Sequence, residues 1–149
     1  MKNCLFTLLF MALSQMLTAQ TVESDSAFLR DNYAKREVLI KMRDGVSLFT
    51  AIYTPVNKSK KYPILLKRTP YTSAPYGEKA FPKSFQNTTL MRELNIFVVQ
   101  DVRGKWLSEG NFVDVRPVIS DRKTTQDIDE STDVYDTAEW LVKNAEGNK

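Results

Sequence analysis

Apolar residues come along this chain in short bursts, divided by charged, glycine-bearing and proline-bearing connections. The first burst, Leu5 to Leu13, follows Lys2 and is succeeded by the small-residue end Thr18-Ala19 before Gln20. A positive start, an apolar core and a small-residue end predict an export signal over residues 1–19, cleaved near Gln20. The apolar core is shorter than the about 20 residues a spanning helix needs, which argues against a stable membrane anchor. Residues 20–36 are polar apart from Phe28, Leu29 and Tyr33, and read as an arm or short helix laid on the body of the protein.

From Glu37 the pattern changes to a hairpin. Glu37 to Met42 is strand-like, Arg43-Asp44-Gly45 makes a turn, and Val46 to Thr54 alternates. Val46, Leu48, Thr50 and Ile52 fall on one face and Phe49, Ala51 and Tyr53 on the other. Both sets are largely apolar, so this part of the sheet is expected to be covered on both sides. Ile64 to Leu66 is a short continuous apolar run of the inner-strand kind. It gives way to Lys67-Arg68-Thr69-Pro70-Tyr71 and a loop containing Pro75 and Gly77. Phe85 to Leu94 is predicted helical, with Leu90 and Leu94 at helical spacing, and Ile96 to Val99 is the next buried strand. Strand, helix and strand with short joints predict a right-handed parallel crossover.

The second inner strand breaks into Gln100-Asp101-Val102-Arg103-Gly104, delivering polar side chains to the carboxyl edge of a sheet, where open α/β folds place their sites. Two readings stand for Asp101 and Arg103: they pair with each other or with neighbouring backbone and shape the loop, or they serve a site. Asp129 to Asn144 is the strongest helix pattern. Tyr135, Ala138, Leu141 and Val142, with Ile128 and Val134 nearby, suggest its apolar stripe. Acids crowd its start and Lys143 its end, as the helix dipole favours. The alternation places residues 37–149 in the α/β class, and a βαβ succession leads one to expect another parallel strand after this helix.

Composition narrows the chemistry. The 149 residues suit one domain, and the net charge of +3 is spread without the basic stripe of nucleic-acid binders. Removing residues 1–19 takes away Lys2 and the lone cysteine, Cys4. The chain contains no histidine. It therefore holds no Ser-His-Asp triad or His-ligated metal of its own, and a lone cysteine makes no thiolate metal cluster. Neither a cofactor nor a metal is expected. Ser73, Ser84 and Ser108 lack the base a nucleophilic hydroxyl needs. Glu109 and the acids from Asp127 to Asp136 lack cation-loop spacing and read as a solvated helix start. Tyr71, just past an inner strand, is placed to donate a hydrogen bond from the carboxyl edge. Tyr76 and Trp106 are aromatic residues of the adjoining loops, either lining a pocket or packing structurally.

Four segments in this order and spacing carry a family resemblance: Met42-Arg43-Asp44-Gly45-Val46, Arg68-Thr69-Pro70-Tyr71, Gln100-Asp101-Val102-Arg103-Gly104-Lys105 with Ser108-Glu109-Gly110, and Asp129-Glu130-Ser131-Thr132-Asp133 with Trp140-Leu141-Val142. Together they resemble the amino-terminal part of the cocaine esterase / X-Pro dipeptidyl-peptidase group of serine hydrolases, and the α-amino-acid ester hydrolases most. The resemblance implies the amino-terminal portion of an α/β-hydrolase fold, with a Gly-x-Ser-Tyr-x-Gly nucleophile elbow a few residues beyond Lys149 and the acid and histidine further on. It implies ester, amide or X-Pro peptide substrates, gives Tyr71 the role of oxyanion donor, and permits homo-oligomeric assembly. The absent histidine keeps a second expectation open: an exported, non-catalytic module that binds a ligand or partner.

Overall fold

In the computed structural model, which describes residues 23–149, the chain opens on helix α1 (Asp25–Asn32), capped by the Ser24 side chain accepting from the Ala27 amide. The predicted export signal, Cys4 and the start of the arm lie outside the described residues. Strand β1 (Tyr33–Lys41) turns through Asp44-Gly45 into β2 (Ser47–Pro55), pairing antiparallel from Tyr33 opposite Pro55 to Lys41 opposite Ser47. Gly45 takes φ +94°, a left-handed conformation that costs glycine little. Strand β3 (Ile64–Thr69), helix α2 (Thr88–Arg92), β4 (Ile96–Asp101) and helix α3 (Glu130–Asn144) follow. The sheet order is β1-β2-β4-β3, with β4 antiparallel to β2 and parallel to β3. The mixed α/β architecture and the parallel β3–β4 pair agree with the sequence pattern.

Both faces of the sheet are covered. Ile40, Leu48, Ile52, Ile96 and Val98 pack with Leu141 and Ala145 of the α3 end on one side. Leu29, Phe49, Tyr53, Met91 and Phe97 form the other side, where Phe85 stacks on Phe97 at 4.2 Å between ring centroids. A two-stranded hairpin alone is marginal in water. Burial of each such side chain contributes about 1.5–3 kcal/mol, so these two layers hold it.

The described structure corrects the sequence reading in three places. β1 begins at Tyr33 rather than Glu37 because Lys35 is buried: its ammonium donates to the carbonyls of Pro75, Gly77 and Ala80 at 2.5, 3.0 and 3.1 Å and lies 2.7 Å from Glu37. A charge concealed a strand. The helix expected over 85–94 shrinks to Thr88–Arg92, started by the Asn87 side chain, which caps the Leu90 amide, while Phe85 goes to the core as an irregular residue. Helix α3 keeps its predicted span, but of the predicted stripe Tyr135, Ala138, Leu141 and Val142 only Leu141 is buried. Thr132, Asp133, Thr137 and Leu141 are buried, whereas Val134, Tyr135 and Val142 are exposed. Polar partners inside the protein rotated it.

Candidate active site at the carboxyl ends of β3 and β4

Thr69 and Asp101 are register partners at the ends of the two parallel strands, the edge where open α/β sheets gather ligands. The Thr69 carbonyl accepts the Val102 amide at 3.1 Å, and its hydroxyl oxygen accepts the Tyr71 amide at 3.1 Å. This bends the chain sharply after β3 and throws the Tyr71 ring outward, 82% exposed.

Asp101 is fully buried. One carboxylate oxygen accepts the Ser73 amide at 2.7 Å. The other accepts the Tyr76 hydroxyl at 3.0 Å and faces the Leu107 amide at 3.5 Å. The Asp101 carbonyl accepts the Ser108 hydroxyl at 2.6 Å, and Ser108 Oγ in turn accepts the Phe49 amide at 2.8 Å. Tyr76 packs edge-on against Phe49 with centroids 5.3 Å apart. Burial, with the bond to Asp101 adding to it, pushes its phenol above the ordinary tyrosine range. Trp106 is 62% exposed and its indole donates to the Pro70 carbonyl at 3.2 Å, so its loop leans on the Tyr71 loop. Its φ of +52° is left-handed, a conformation costing a non-glycine residue about 1–3 kcal/mol and found where structure over-determines it.

Arg103 turns away from Asp101 altogether. Its guanidinium, buried, donates to Asp133 at 2.7 and 3.1 Å and to Asp44 at 2.7 and 3.2 Å. Burial works against its charge, but the two carboxylates outweigh it and raise its pKa. Arg68 extends the lattice to Glu130 at 2.7 Å, to Asp133 at 3.5 Å and to the Gln100 amide oxygen at 2.8 Å. Gln100 donates onward to Thr50 and Thr137, each at 3.0 Å. Helix α3, the hairpin turn and the β4 loop are thereby bolted together under the site. Gly104 completes the corner: at φ +70°, a Cβ there would stand 2.1 Å from the Phe112 nitrogen.

Of the pairings expected, Asp101 and Arg103 do not meet each other: Asp101 takes the backbone of the adjoining loops and the Tyr76 phenol, as the loop-shaping reading allows, and Arg103 goes to Asp44 and Asp133. It also corrects the solvated start expected for α3, since Asp129 and Asp133 are buried. Burial alone would raise the Asp129 pKa. The amides of Ile119 and Thr132, the Ser131 hydroxyl and Arg122 outweigh it and hold the carboxyl well below the usual range. Glu109 caps the Ser47 amide at 2.8 Å. Sequence reasoning placed Asp44 in a turn and Gln100 in a family segment but gave neither of them, nor Thr137, a buried partner; the signals were those segments, a glutamine ending an apolar run and an Asp133–Thr137–Leu141 row at helical spacing. A groove of about 390 Å³ opens alongside, floored by Leu65, Phe85, Leu90 and Phe97 and reaching Thr72 and Ser73. Its lining includes neither Tyr71 nor Trp106.

Chemically, the edge offers an exposed phenol on a braced arch but no histidine. The X-Pro dipeptidyl-peptidase (S15 family) sequence profile matches residues 44–149. The chain belongs to that family. It is also similar to the cocaine esterase of Rhodococcus sp. (strain MB1 Bresler), 33% identical over 111 residues that make 72% of this chain and 16% of the esterase. An aminopeptidase of a marine sediment Thaumarchaeota archaeon superposes with a TM-score of 0.66 at 35% identity, over 89% of this chain and 22% of its own. A selenomethionine-labelled α-amino acid ester hydrolase does so with a TM-score of 0.65 at 36% identity, over the same shares. The S15 chain described here thus spans about a sixth of the curated relative and about a fifth of these solved structures. Its sheet corresponds to the amino-terminal portion of their hydrolase fold.

Proposed function

We propose that this chain supplies the amino-terminal, oxyanion-binding portion of an exported serine hydrolase acting on α-amino-acid esters, amides or X-Pro peptides. The observation that carries the reading is Tyr71: an exposed phenol just beyond the carboxyl end of parallel strand β3, within the Arg68-Thr69-Pro70-Tyr71 segment that resembles the family's motif. In the reaction, a serine outside these 149 residues attacks the substrate carbonyl and forms an acyl-enzyme, with histidine and an acid, also outside them, handling the proton. The Tyr71 hydroxyl donates to the oxygen as negative charge develops on it. Trp106 and Tyr76 flank the acyl group, Trp106 by its exposed face and Tyr76 from behind the Tyr71 arch. The 149 residues alone, having no histidine, carry no turnover.

The test reads the DNA beyond the Lys149 codon and expresses the whole frame. An open frame encoding Gly-x-Ser-Tyr-x-Gly, and a product that cleaves an activated α-amino-acid ester and is silenced by a serine-directed inhibitor, support the reading. Turnover by the 149-residue chain by itself refutes it. For export, mass spectrometry of the mature protein should find an N-terminus near Gln20 or Thr21; a retained Met1–Ala19 segment contradicts that part.

A further inference from the structure

Tyr71 stands at the top of a short arch whose two feet rest on one residue. Thr69, the near foot, is the β-sheet register partner of Asp101; Ser73, the far foot, gives its amide to the Asp101 carboxylate at 2.7 Å. A second arch, Val102 to Ser108, carries Trp106 and comes down on the same residue, through the Leu107 amide at 3.5 Å on the carboxylate and the Ser108 hydroxyl at 2.6 Å on the carbonyl. The two tops touch where the Trp106 indole meets the Pro70 carbonyl. Asp101 is fully buried, and among the described residues no Lys or Arg forms an ion pair with it. The donors to its carboxylate are the Ser73 and Leu107 amides of the two arches and the Tyr76 hydroxyl, three residues past the far foot. A buried anion held only by hydrogen-bond donors depends on every one of them, so the arches and the carboxylate fix one another.

We propose that Asp101 is the positioning residue of the oxyanion donor: its carboxylate sets the height and separation of the Tyr71 and Trp106 arches. This rests on the role proposed for Tyr71. An anion suits the task where an amide does not. Asn at this position presents an N–H₂ group to one of the amides, donor against donor, and releases one arch. The nearby Arg103 cluster is spent elsewhere and leaves the Asp101 charge to the loops.

The experiment compares the full-length product of the gene with its Asp101→Asn variant in two ways. Amide exchange read by mass spectrometry should quicken in residues 70–77 or 102–109 and stay unchanged in 33–41. With the activated ester, kcat should fall by about tenfold to a hundredfold while KM stays within about threefold, since a misplacement near 1 Å costs up to that order. Asp101→Asn combined with Tyr71→Phe should lose no more than Tyr71→Phe alone, because the one acts through the other. Unchanged exchange in both loops, or losses that simply add, overturn the proposal. If Asp101→Asn does not fold, Tyr76→Phe removes one donor and keeps the ring on Phe49: faster exchange over 72–77 supports the assignment and unchanged exchange overturns it. A parent without ester turnover refutes the function proposed above, while the exchange measurement still decides what Asp101 holds.

Discussion

Asp133→Asn breaks into the buried ion-pair lattice beneath the site. The Asp133 side chain is 2% exposed and accepts two bonds from Arg103, at 2.7 and 3.1 Å, with Arg68 at 3.5 Å. Asparagine keeps the volume but removes the charge and sets an N–H₂ group against one of the guanidinium donors. Removing one partner of a buried pair costs about 3–5 kcal/mol, because the other charge stays buried without it. Here Arg103 retains Asp44 at 2.7 Å and Arg68 retains Glu130 at 2.7 Å, so the lower end applies, about 3 kcal/mol. At about 2–4 °C per kcal/mol for a chain near this size, Tm falls by about 6–12 °C. The internal control is Asp136→Asn. Its Arg43 pair is also bidentate, but sits at the rim with Arg43 30% exposed, and rim pairs contribute about 0.2–1 kcal/mol. Urea unfolding of both variants at neutral pH gives the comparison. If Asp133→Asn costs no more than Asp136→Asn, the lattice is not what holds α3 beneath the β4 loop.

Other outcomes follow from the same geometry. Gly104→Ala sets a Cβ 2.1 Å from the Phe112 nitrogen at a left-handed φ; it should destabilise the protein measurably in the same urea assay, and a neutral result contradicts the tight corner. Asp129, whose carboxyl is held below the usual range, contributes stability that is present above its unfolded pKa of about 3.9 and is lost as pH falls through the folded value. Asp129→Asn keeps a capping side chain, so its deficit against the parent should be full at pH 7 and shrink below about pH 3.9; a pH-independent deficit refutes the carboxylate's role. Trp106→Phe in the active full-length protein should shift the ranking of acyl groups more than the maximal rate, and an unchanged ranking removes Trp106 from the pocket.

Where one interaction decides a residue's fate, the sequence was readable. The alternation of β2 placed Leu48 and Ile52 on one face and Phe49 and Tyr53 on the other, and the clusters formed there. The apolar runs at Ile64 and Ile96 became the parallel pair, with β4 inside the sheet, but β3 stands at the edge of the described sheet rather than in the inner place its apolar run suggested. Tyr71 emerged at the end of β3 where the motif put it. What stayed hidden was polar burial. Hydrophobic periodicity assigns Thr132, Asp133 and Thr137 to water, but Arg103 and Gln100 satisfy Asp133 and Thr137 inside the protein, and the helix turns toward them. Lys35 concealed the start of β1 in the same way, its ammonium met by carbonyls forty or more residues away. Such partners come from distant segments, and no local pattern announces them.

The central claim is that Tyr71 gives its hydroxyl to the developing oxyanion, and Tyr71→Phe in the full-length hydrolase tests it most directly. The substitution removes one donor and keeps a ring that is largely in solvent, so folding stability should hold. Loss of one oxyanion donor slows turnover about 10²–10³-fold, or roughly 2.7–4 kcal/mol, with KM little changed because the bond strengthens only as charge develops. A kcat for Tyr71→Phe within about threefold of the parent, far short of that loss, would contradict the account.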